Sequence, residues 1–487
     1  MYVLAAIRPI CLREVSMDKE NMDKGSARLF TAWLVFAVLA LVLAGGFAFL
    51  VAAARTPTVH EFFPNVDYMK VSLVAHVILA FIIWFFAFEG AFWVYIATWF
   101  LKRPVAAPLL AWGAFAFAAI GTALISVCAF FGLGEPSFVN YVPILDHKLF
   151  YAGFVILCLG ILVAGIESYI TIIRTRHDIA RKDDLKLLRI GSASSIFAVF
   201  FAFLSFLVSA YFVLGEGGSR DLETVFWGGG HILQFTNTAA MVTVWFYITY
   251  KLTGKMPVVF NKGRFIFGLF TVFVMATPFA YIFTDIDSYG HRRFFTALME
   301  FGLGPSTFVA AILVLRAFYN DTGRGLWANI RNMPWARPEF SATVFSMVLF
   351  LMGGLIAFTI YGYNTKIPAH YHGEIGGITL AFMGLAYYFF DKLKPGSVAR
   401  RVASVQPYVY LAGQGLFVLA MFIAGAHGVA RKTFGEAQGL DKAAKVISMA
   451  LFGVGAFVAI VGGVLFIVIA LRALLKKRQP ENGFVAK

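Results

Sequence analysis

Twelve long runs of apolar residues constrain this chain more than any other feature of its sequence. Each run holds about 20 residues with few charges, the length an α-helix needs to cross the hydrocarbon core of a bilayer. The composition agrees, because 60% of the 487 residues are hydrophobic and only 14% are charged. We therefore expect an all-α, polytopic membrane protein with twelve transmembrane helices. The runs lie at 29–54, 68–100, 106–132, 149–173, 190–214, 228–250, 265–284, 294–318, 340–362, 370–391, 406–428 and 446–475.

The basic residues predict how these helices are oriented. The chain has 41 Lys and Arg residues, and most of them fall in alternate loops when the N-terminus is placed inside the cell. Cytoplasmic loops carry such an excess, so the net positive charge requires no nucleic-acid partner. We expect a cytoplasmic segment at 1–28, one membrane domain at 29–476 and a cytoplasmic tail at 477–487.

Five of the nine histidines are predicted to lie at one depth near the outer face. His76 follows the start of the second helix, His231 opens the sixth, His291 follows the seventh, and His370 and His372 open the tenth. Ionisable residues inside a membrane are functional candidates, and imidazole is a common ligand of metals and haem iron. The other four histidines fall in loops or at helix ends, where a solvated imidazole is expected: His60, His147, His177 and His427.

The tenth helix carries its two histidines at i and i+2. Side chains so spaced point about 200° apart, so His370 and His372 cannot bind one ion and each must serve a different centre. An iron that two helices ligate is six-coordinate and suits only electron transfer. An iron that one histidine holds keeps an open position for a small molecule, and His231 and His291 are placed to hold a second metal opposite it.

This pattern resembles the haem–copper oxidase superfamily, which comprises the catalytic subunits of cytochrome oxidases and nitric oxide reductases. The resemblance covers the twelve spans, the single histidines of helices two, six and seven, and the H-x-H pair of helix ten. It implies that the domain at 29–476 binds two b-type haems and one non-haem metal, iron or copper. By the resemblance, His76 and His372 are axial ligands of the low-spin haem, His370 is the proximal ligand of the high-spin haem, and His231 and His291 bind the non-haem metal.

Two further segments are similar to that superfamily. The sequence GVARK at 428–432 resembles the Arg-rich stretch after helix eleven whose cations pair with haem propionates, which implies this role for Arg431 and Lys432. The sequence RRFFTALMEFGLGPSTF resembles the nitric oxide reductase segment that bears a carboxylate near the non-haem metal, which implies this role for Glu300. The alternative is that Glu300 hydrogen-bonds backbone loosened by Gly302 and Gly304.

One metal ligand of the superfamily is missing. Arg292 follows His291 where a second histidine is usual. Asp287, at i−4 from His291 and thus its neighbour on a helix, is a candidate replacement, with Asp285 in reserve. The alternative is that Asp287 forms a surface ion pair with Arg292 or Arg293.

The residue four positions after His231 bears on the substrate. Oxygen-reducing members usually have a tyrosine there that supplies one of four electrons, but this chain has Phe235. Joining two molecules of nitric oxide takes two electrons, which the two metals provide. The sequence therefore favours reduction of nitric oxide to nitrous oxide. A terminal oxidase that reduces oxygen to water is the alternative, because Tyr281 or Tyr289 is positioned to replace the missing tyrosine.

Proton-carrying side chains are sparse in the inner halves of helices six and eight. A nitric oxide reductase that takes protons from the outer side needs no chain of such groups, so this also favours that function. Glu89 is the one deep acid of helix two, where it is either protonated or relays protons.

The electron donor is expected to be another protein. The chain contains no C-x-x-C-H motif for haem attachment, so we expect a second subunit with a periplasmic cytochrome c or cupredoxin domain. The expected location is the bacterial inner membrane, with both termini in the cytoplasm. A third interpretation is a twelve-helix secondary transporter, although the inverted repeats common in transporters are not detectable.

Overall fold

The computed structural model describes residues 23–100, 103–174, 183–215, 221–319 and 325–476. The predicted tail at 477–487, most of the predicted segment at 1–28, and His177 lie outside these residues. The described chain is mainly helical. Its helices are α1 (Lys24–Arg55), α2 (Val66–Val77), α3 (Trp84–Val94), α4 (Pro108–Phe131), α5 (Lys148–Arg174), α6 (Asp183–Gly215), α7 (Leu222–Thr253), α8 (Phe260–Met275), α9 (Thr277–Phe283), α10 (Tyr289–Gly302), α11 (Gly304–Phe318), α12 (Leu326–Arg331), α13 (Pro338–Ala357), α14 (Lys366–Leu393), α15 (Arg400–Ala426) and α16 (Ala443–Leu475).

Eleven helical segments of the described chain are long and apolar enough to cross a membrane. The second predicted span is α2 and α3 joined by a π-helical turn at Ile78–Ile83, and a second π-helical turn at Tyr95–Phe100 follows α3. The sixth predicted span is α7, which is 32 residues long but is not among the eleven, since its glycines and polar residues reduce its apolar content. The total of twelve spans therefore stays a prediction.

The seventh and eighth predicted spans are each divided into two helices. Pro278 lies in the first turn of α9 and Pro305 in the first turn of α11. Proline lacks an N–H group and is tolerated at this position, but it cannot continue a preceding helix. A further non-helical segment, 284–288, separates α9 from α10. This region is therefore built from four short helices.

The interior of the bundle contains α3, α7 and α14. In α7, residues 228–249 are all buried except Gln234. Aromatic side chains fill the space between α3 and α14, where Phe88 and Phe382 stack with ring centroids 4.6 Å apart. Because protein surrounds α7, polar residues on this helix face other helices and not lipid.

The described chain departs from the all-α class at one short hairpin. Strands β1 (Glu135–Ser137) and β2 (Ile144–Asp146) pair antiparallel between α4 and α5, with Pro136 opposite Leu145. Sequence analysis placed this segment in an outer loop. The hairpin matters for function because its tip reaches His231, as described below.

Candidate active site

The candidate ligand histidines share one orientation of the imidazole ring. In four of them, Nδ1 lies within hydrogen-bonding distance of a backbone carbonyl oxygen. The pairs are His76 with Ala44 (3.2 Å), His231 with Trp227 (2.7 Å), His370 with Gly353 (3.0 Å) and His372 with Pro368 (2.9 Å). A carbonyl oxygen only accepts, so Nδ1 carries the proton and Nε2 presents its lone pair. Metal-binding histidines are typically oriented in this way.

In His291, Nδ1 also carries the proton, but its hydrogen-bond partner is a side chain and not a backbone carbonyl. The hydroxyl of Thr284 donates to the carbonyl of Ala280 (2.6 Å), and its oxygen lies 3.0 Å from His291 Nδ1. The hydroxyl proton is thus in use, so Nδ1–H donates to the Thr284 oxygen. Among the described residues, the buried Nε2 of His291 has no hydrogen-bond partner. A buried nitrogen with a free lone pair is what a metal ion would satisfy.

The structure brings His76 and His372 together. His372 lies within electrostatic range of both His76 and Arg55, and its ring packs against Phe417 at 4.9 Å between centroids. The two histidines come from different helices, α2 and α14. This arrangement fits a flat group ligated on both faces.

His370 is positioned by close packing of α13 on α14. A Cβ atom added at Gly353 would lie 2.6 Å from the carbonyl oxygen of His370, and one at Gly373 would lie 2.6 Å from Gly353 Cα. Only glycine permits this approach, which brings the carbonyl of Gly353 to His370 Nδ1. Sequence analysis missed Glu374, whose Oε1 lies 3.8 Å from the same nitrogen. The sequence could have indicated this contact, because residues four positions apart are neighbours on a helix.

His231 and His291 both contact the ring of Phe295. The centroid distances are 6.1 Å from His231 and 5.2 Å from His291. His231 also lies within electrostatic range of His370. The two expected metal ligands therefore pack against the same buried ring, and His231 lies on the side of His370.

Asp287 does not have the helical relation to His291 from which its role was predicted. It lies in the non-helical segment between α9 and α10 and is exposed. Ser288 caps α10 by accepting from the backbone N–H of His291 at 3.1 Å. Since the chain turns here, a spacing of four residues does not place two side chains on one face. Asp285, the reserve candidate, is exposed in the same segment.

Glu300 faces away from His291. The two residues are nine positions apart on the continuous helix α10, which corresponds to about 180° around the axis. Both carboxylate oxygens of Glu300 bind Arg293, at 2.9 and 2.8 Å. The expectation that Glu300 lies beside the metal ligands is therefore not supported, and its packing partner is Arg293 instead of loosened backbone.

The two tyrosines proposed to replace the missing one, Tyr281 and Tyr289, differ in their distance from His291 and in their exposure. Tyr289 is 82% exposed and points away from the interior. The ring of Tyr281 lies 5.0 Å from that of His291, and its hydroxyl contacts Ser209 at 2.8 Å. Phe235 is fully buried, and a Cβ atom at Gly302 would lie 2.9 Å from its ring.

Sequence analysis also missed Tyr141, at the tip of the β1–β2 hairpin. Its hydroxyl lies 3.1 Å from His231 Nε2, and the two rings are 4.8 Å apart. No periodicity or motif pointed to this residue, because it lies in a loop between two spans. The contact depends on the hairpin and is visible only in three dimensions.

Arg431 and Lys432 lie beside the same hairpin. Arg431 donates to Asn140 Oδ1, and Lys432 Nζ lies 3.3 Å from that oxygen. Burial and the neighbouring Arg431 lower the pKa of Lys432 to about 7. These two basic side chains are thus held beside the hairpin, where they would stabilise anionic carboxylates of a bound group.

The candidate ligands are of the chemical type that binds haem iron and a second metal, but they do not form a compact cluster of three or more ligands. Within the described ranges, no group of three or more His, Cys, Asp or Glu residues is placed to hold a metal ion. The available donors are five imidazole Nε2 atoms, one of them buried without a partner, and the phenol of Tyr141. Imidazole suits iron and copper.

The chain is similar to several known proteins. Residues 28–465 match the family described as Cytochrome C and Quinol oxidase polypeptide I. Cytochrome c oxidase subunit 1 of Thermus thermophilus is 25% identical over 96% of this chain and 88% of its own length. Two uncharacterised proteins are also similar: one from Aquifex aeolicus, 29% identical over 74% of this chain and 84% of its own, and one from Rickettsia prowazekii, 25% identical over 91% and 95%.

A solved structure has the same fold. A cryo-EM structure of a heme-copper terminal oxidase dimer superposes with a TM-score of 0.79 at 21% sequence identity. The match covers 94% of this chain and 85% of that one. At this level of identity the likeness concerns the arrangement of the helices alone.

Proposed function

Because the chain belongs to the cytochrome c and quinol oxidase polypeptide I family of respiratory oxidoreductases, we propose that it reduces nitric oxide to nitrous oxide. Membership of an oxidoreductase family argues against the interpretation of the chain as a secondary transporter. The finer choice between nitric oxide and oxygen rests on side chains near His231 and His291.

Phe235 is the observation that carries this proposal. It is buried one turn after His231, where a tyrosine would supply an electron and a proton to oxygen. Two nitric oxide molecules, two electrons and two protons give one nitrous oxide and one water. With two redox metals bound at the site, this two-electron reaction would need no redox-active side chain at position 235.

The chain's own residues hold the groups that carry these electrons. His76 and His372 would hold the low-spin haem, His370 the high-spin haem, and His231 and His291 the non-haem metal. When bound, these groups supply electron transfer and the site of gas reduction. Arg431 and Lys432 would neutralise the haem propionates, and the buried positions 228–249 of α7 exclude bulk water.

The proposal includes the setting of the enzyme. We assign b-type haems, an iron or copper ion at the non-haem position, and a second subunit whose periplasmic cytochrome c or cupredoxin domain donates electrons over the outer loops. We place the complex in the bacterial inner membrane with both termini in the cytoplasm. Co-purification of the chain from its native membrane, followed by identification of bound proteins, tests the partner.

Oxygen reduction is the second candidate, and Tyr281 favours it. Its ring lies 5.0 Å from that of His291, so a phenol is available near the expected metal. In this case Tyr281→Phe would abolish oxygen reduction and leave nitric oxide reduction intact.

Turnover of the purified enzyme with a reduced donor decides between the two. We expect kcat/KM for nitric oxide, measured without oxygen, to exceed that for oxygen by about tenfold or more, because specificity is the ratio of these constants. A higher value for oxygen, lost in Tyr281→Phe, overturns the proposal. Absence of haem from the purified protein overturns both candidates.

A further inference from the structure

The β1–β2 hairpin holds one residue in a rarely used backbone conformation. Tyr141 has a φ of +61°. This value lies in the left-handed region, which residues other than glycine and asparagine seldom adopt. Such conformations persist where surrounding contacts enforce them, and they cluster at functional sites. The contacts around Tyr141 therefore require an explanation.

The hairpin tip is anchored to the helix that carries His231. The backbone N–H of Asn140 donates to Glu223 Oε2 at 2.8 Å, and its side-chain amide donates to Glu223 Oε1. Glu223 lies in the first turn of α7, two turns before His231. Arg431 and Lys432 hold the amide oxygen of Asn140 from the other side. Tyr141 is thus fixed relative to His231 by its neighbour in sequence.

A glycine in α7 makes room for the phenol ring. A Cβ atom added at Gly230 would lie 2.3 Å from Tyr141 Cγ, so no other residue permits this approach. The ring then lies against that of His231 at 4.8 Å. The glycine tract before His231 is therefore shaped to admit a side chain from outside the helix.

The phenol oxygen contacts the ligand nitrogen of His231. Since Nδ1–H of His231 donates to the Trp227 carbonyl, the lone pair of Nε2 points to Tyr141, whose oxygen is 3.1 Å away. Two adjacent ligands with metal bonds of about 2.0–2.2 Å are roughly 3 Å apart. The separation of the phenol oxygen and Nε2 is therefore close to that of two ligands of one ion.

The two acids predicted as ligands have other surroundings, although Asp287 lies within electrostatic range of His291. Asp287 is exposed and Glu300 binds Arg293. Arg292, in the place of the usual second histidine, lies 3.9 Å from Asp221 and 5.5 Å from the centroid of the Trp227 ring. The oxygen of Thr284 contacts the His291 ring at Nδ1 and not at the ligand nitrogen.

We propose that Tyr141 is the third protein ligand of the non-haem metal, bound as a phenolate together with His231 and His291. The phenol proton is released to solvent when the metal–oxygen bond forms, as metal binding to protonated ligands requires. This inference rests on the proposed function, because it assumes a metal between the two histidines. An anionic oxygen ligand beside two imidazoles suits iron better than an all-imidazole site would.

The test is spectroscopic and uses the oxidised holoenzyme. A phenolate bound to ferric iron or cupric copper gives a ligand-to-metal charge-transfer band, and excitation in this band enhances the vibrations of the phenolate ring. We expect these vibrations in the resonance Raman spectrum of the wild type, shifted when the protein is grown with ring-deuterated tyrosine. A wild-type enzyme that contains the metal but lacks them overturns the assignment.

Two variants sharpen the result. In Tyr141→Phe we expect the vibrations to disappear and metal retention against a chelator to fall by about tenfold or more, with the haem-to-protein ratio unchanged. Tyr151→Phe is the matched control, because it removes the hydroxyl of an exposed tyrosine that donates to Asp146 of the same hairpin at 3.1 Å. Equal metal retention and equal spectra in both variants contradict the proposal.

The outcomes separate this inference from the proposed function. A wild-type enzyme with haem but no non-haem metal removes the metal centre and with it both proposals. A wild-type enzyme that holds the metal and reduces nitric oxide without phenolate vibrations removes only the role of Tyr141.

Discussion

The two histidines of α14 lie on one uninterrupted helix, whereas the residues expected around His291 are divided between α9, a non-helical turn and α10. On α14, the angle of about 200° between His370 and His372 directs one toward α13 and the other toward α2, as helical spacing predicts. Around His291, the same arithmetic paired this histidine of α10 with Asp287, which lies in the non-helical turn before that helix. Spacing in sequence gives positions in space only where the backbone is continuous.

The largest expected effect concerns the continuous helix. His372→Ala removes an expected axial ligand, so the haem content should fall from two haems to one per chain and the low-spin spectrum should disappear. The haem-to-protein ratio and the reduced-minus-oxidised spectrum measure this. His427→Ala, an exposed histidine at the end of α15, is the control. An unchanged haem-to-protein ratio in His372→Ala would show that helical spacing on α14 does not identify a haem ligand.

The contact between α13 and α14 should be sensitive to a single methyl group. In Gly353→Ala, the new Cβ atom meets His370 O and Glu374 N at 2.6 Å, and we expect destabilisation of roughly 1–3 kcal/mol from overpacking. Thermal unfolding in detergent measures it. Gly354→Ala is the control, since its nearest neighbour is 4.0 Å away. Equal stability of the two variants would show that the close approach does not hold His370.

In the region divided between α9, the turn and α10, the orientation of His291 depends on the hydroxyl group of Thr284. Thr284→Val removes the acceptor of His291 Nδ1–H, and loss of such an outer partner typically weakens metal binding by about 10–100-fold. Competition with a chelator measures the affinity. Thr296→Val is matched, because its hydroxyl donates to the Arg292 carbonyl at 3.0 Å on the same helix. If both variants retain the metal equally, the orientation of His291 has another cause.

The smallest effect is expected on the outer face of α10. Glu300→Gln breaks a partly exposed ion pair with Arg293, and such pairs contribute about 0–1 kcal/mol. Metal content, measured by elemental analysis, should not change, because Glu300 lies opposite His291. A marked loss of metal in Glu300→Gln, but not in Arg293→Gln, would restore the role that sequence similarity gave to this acid.

Much of the fold was predictable because lipid imposes a simple rule on it. Backbone groups in hydrocarbon must bond internally, so long apolar runs become helices, and the helix boundaries follow those runs closely. The H-x-H pair belongs to this predictable part. The breaks at Pro278 and Pro305 also have a local cause, although the runs that contain them appear continuous in composition.

The remainder of the candidate site depends on contacts between distant segments. Tyr141 reaches His231 through a two-stranded hairpin, a positive φ and a glycine 89 positions away, and no local pattern encodes that combination. The Asn140–Glu223 and Arg431–Asn140 bonds are of the same kind. Glu374 differs, since its helical spacing from His370 was visible and only its proximity to a ligand was overlooked.

The π-helical turn at Ile78–Ile83 lies directly after His76 and before the buried Glu89. A π-helical turn closes its hydrogen bonds five residues back instead of four, so it accommodates one residue more than an α-helical turn. A relative whose second span is α-helical throughout aligns with this chain only if one gap is opened near Ile78. Without that gap, every residue from there to Val94 is compared with a residue about 100° away around the helix axis.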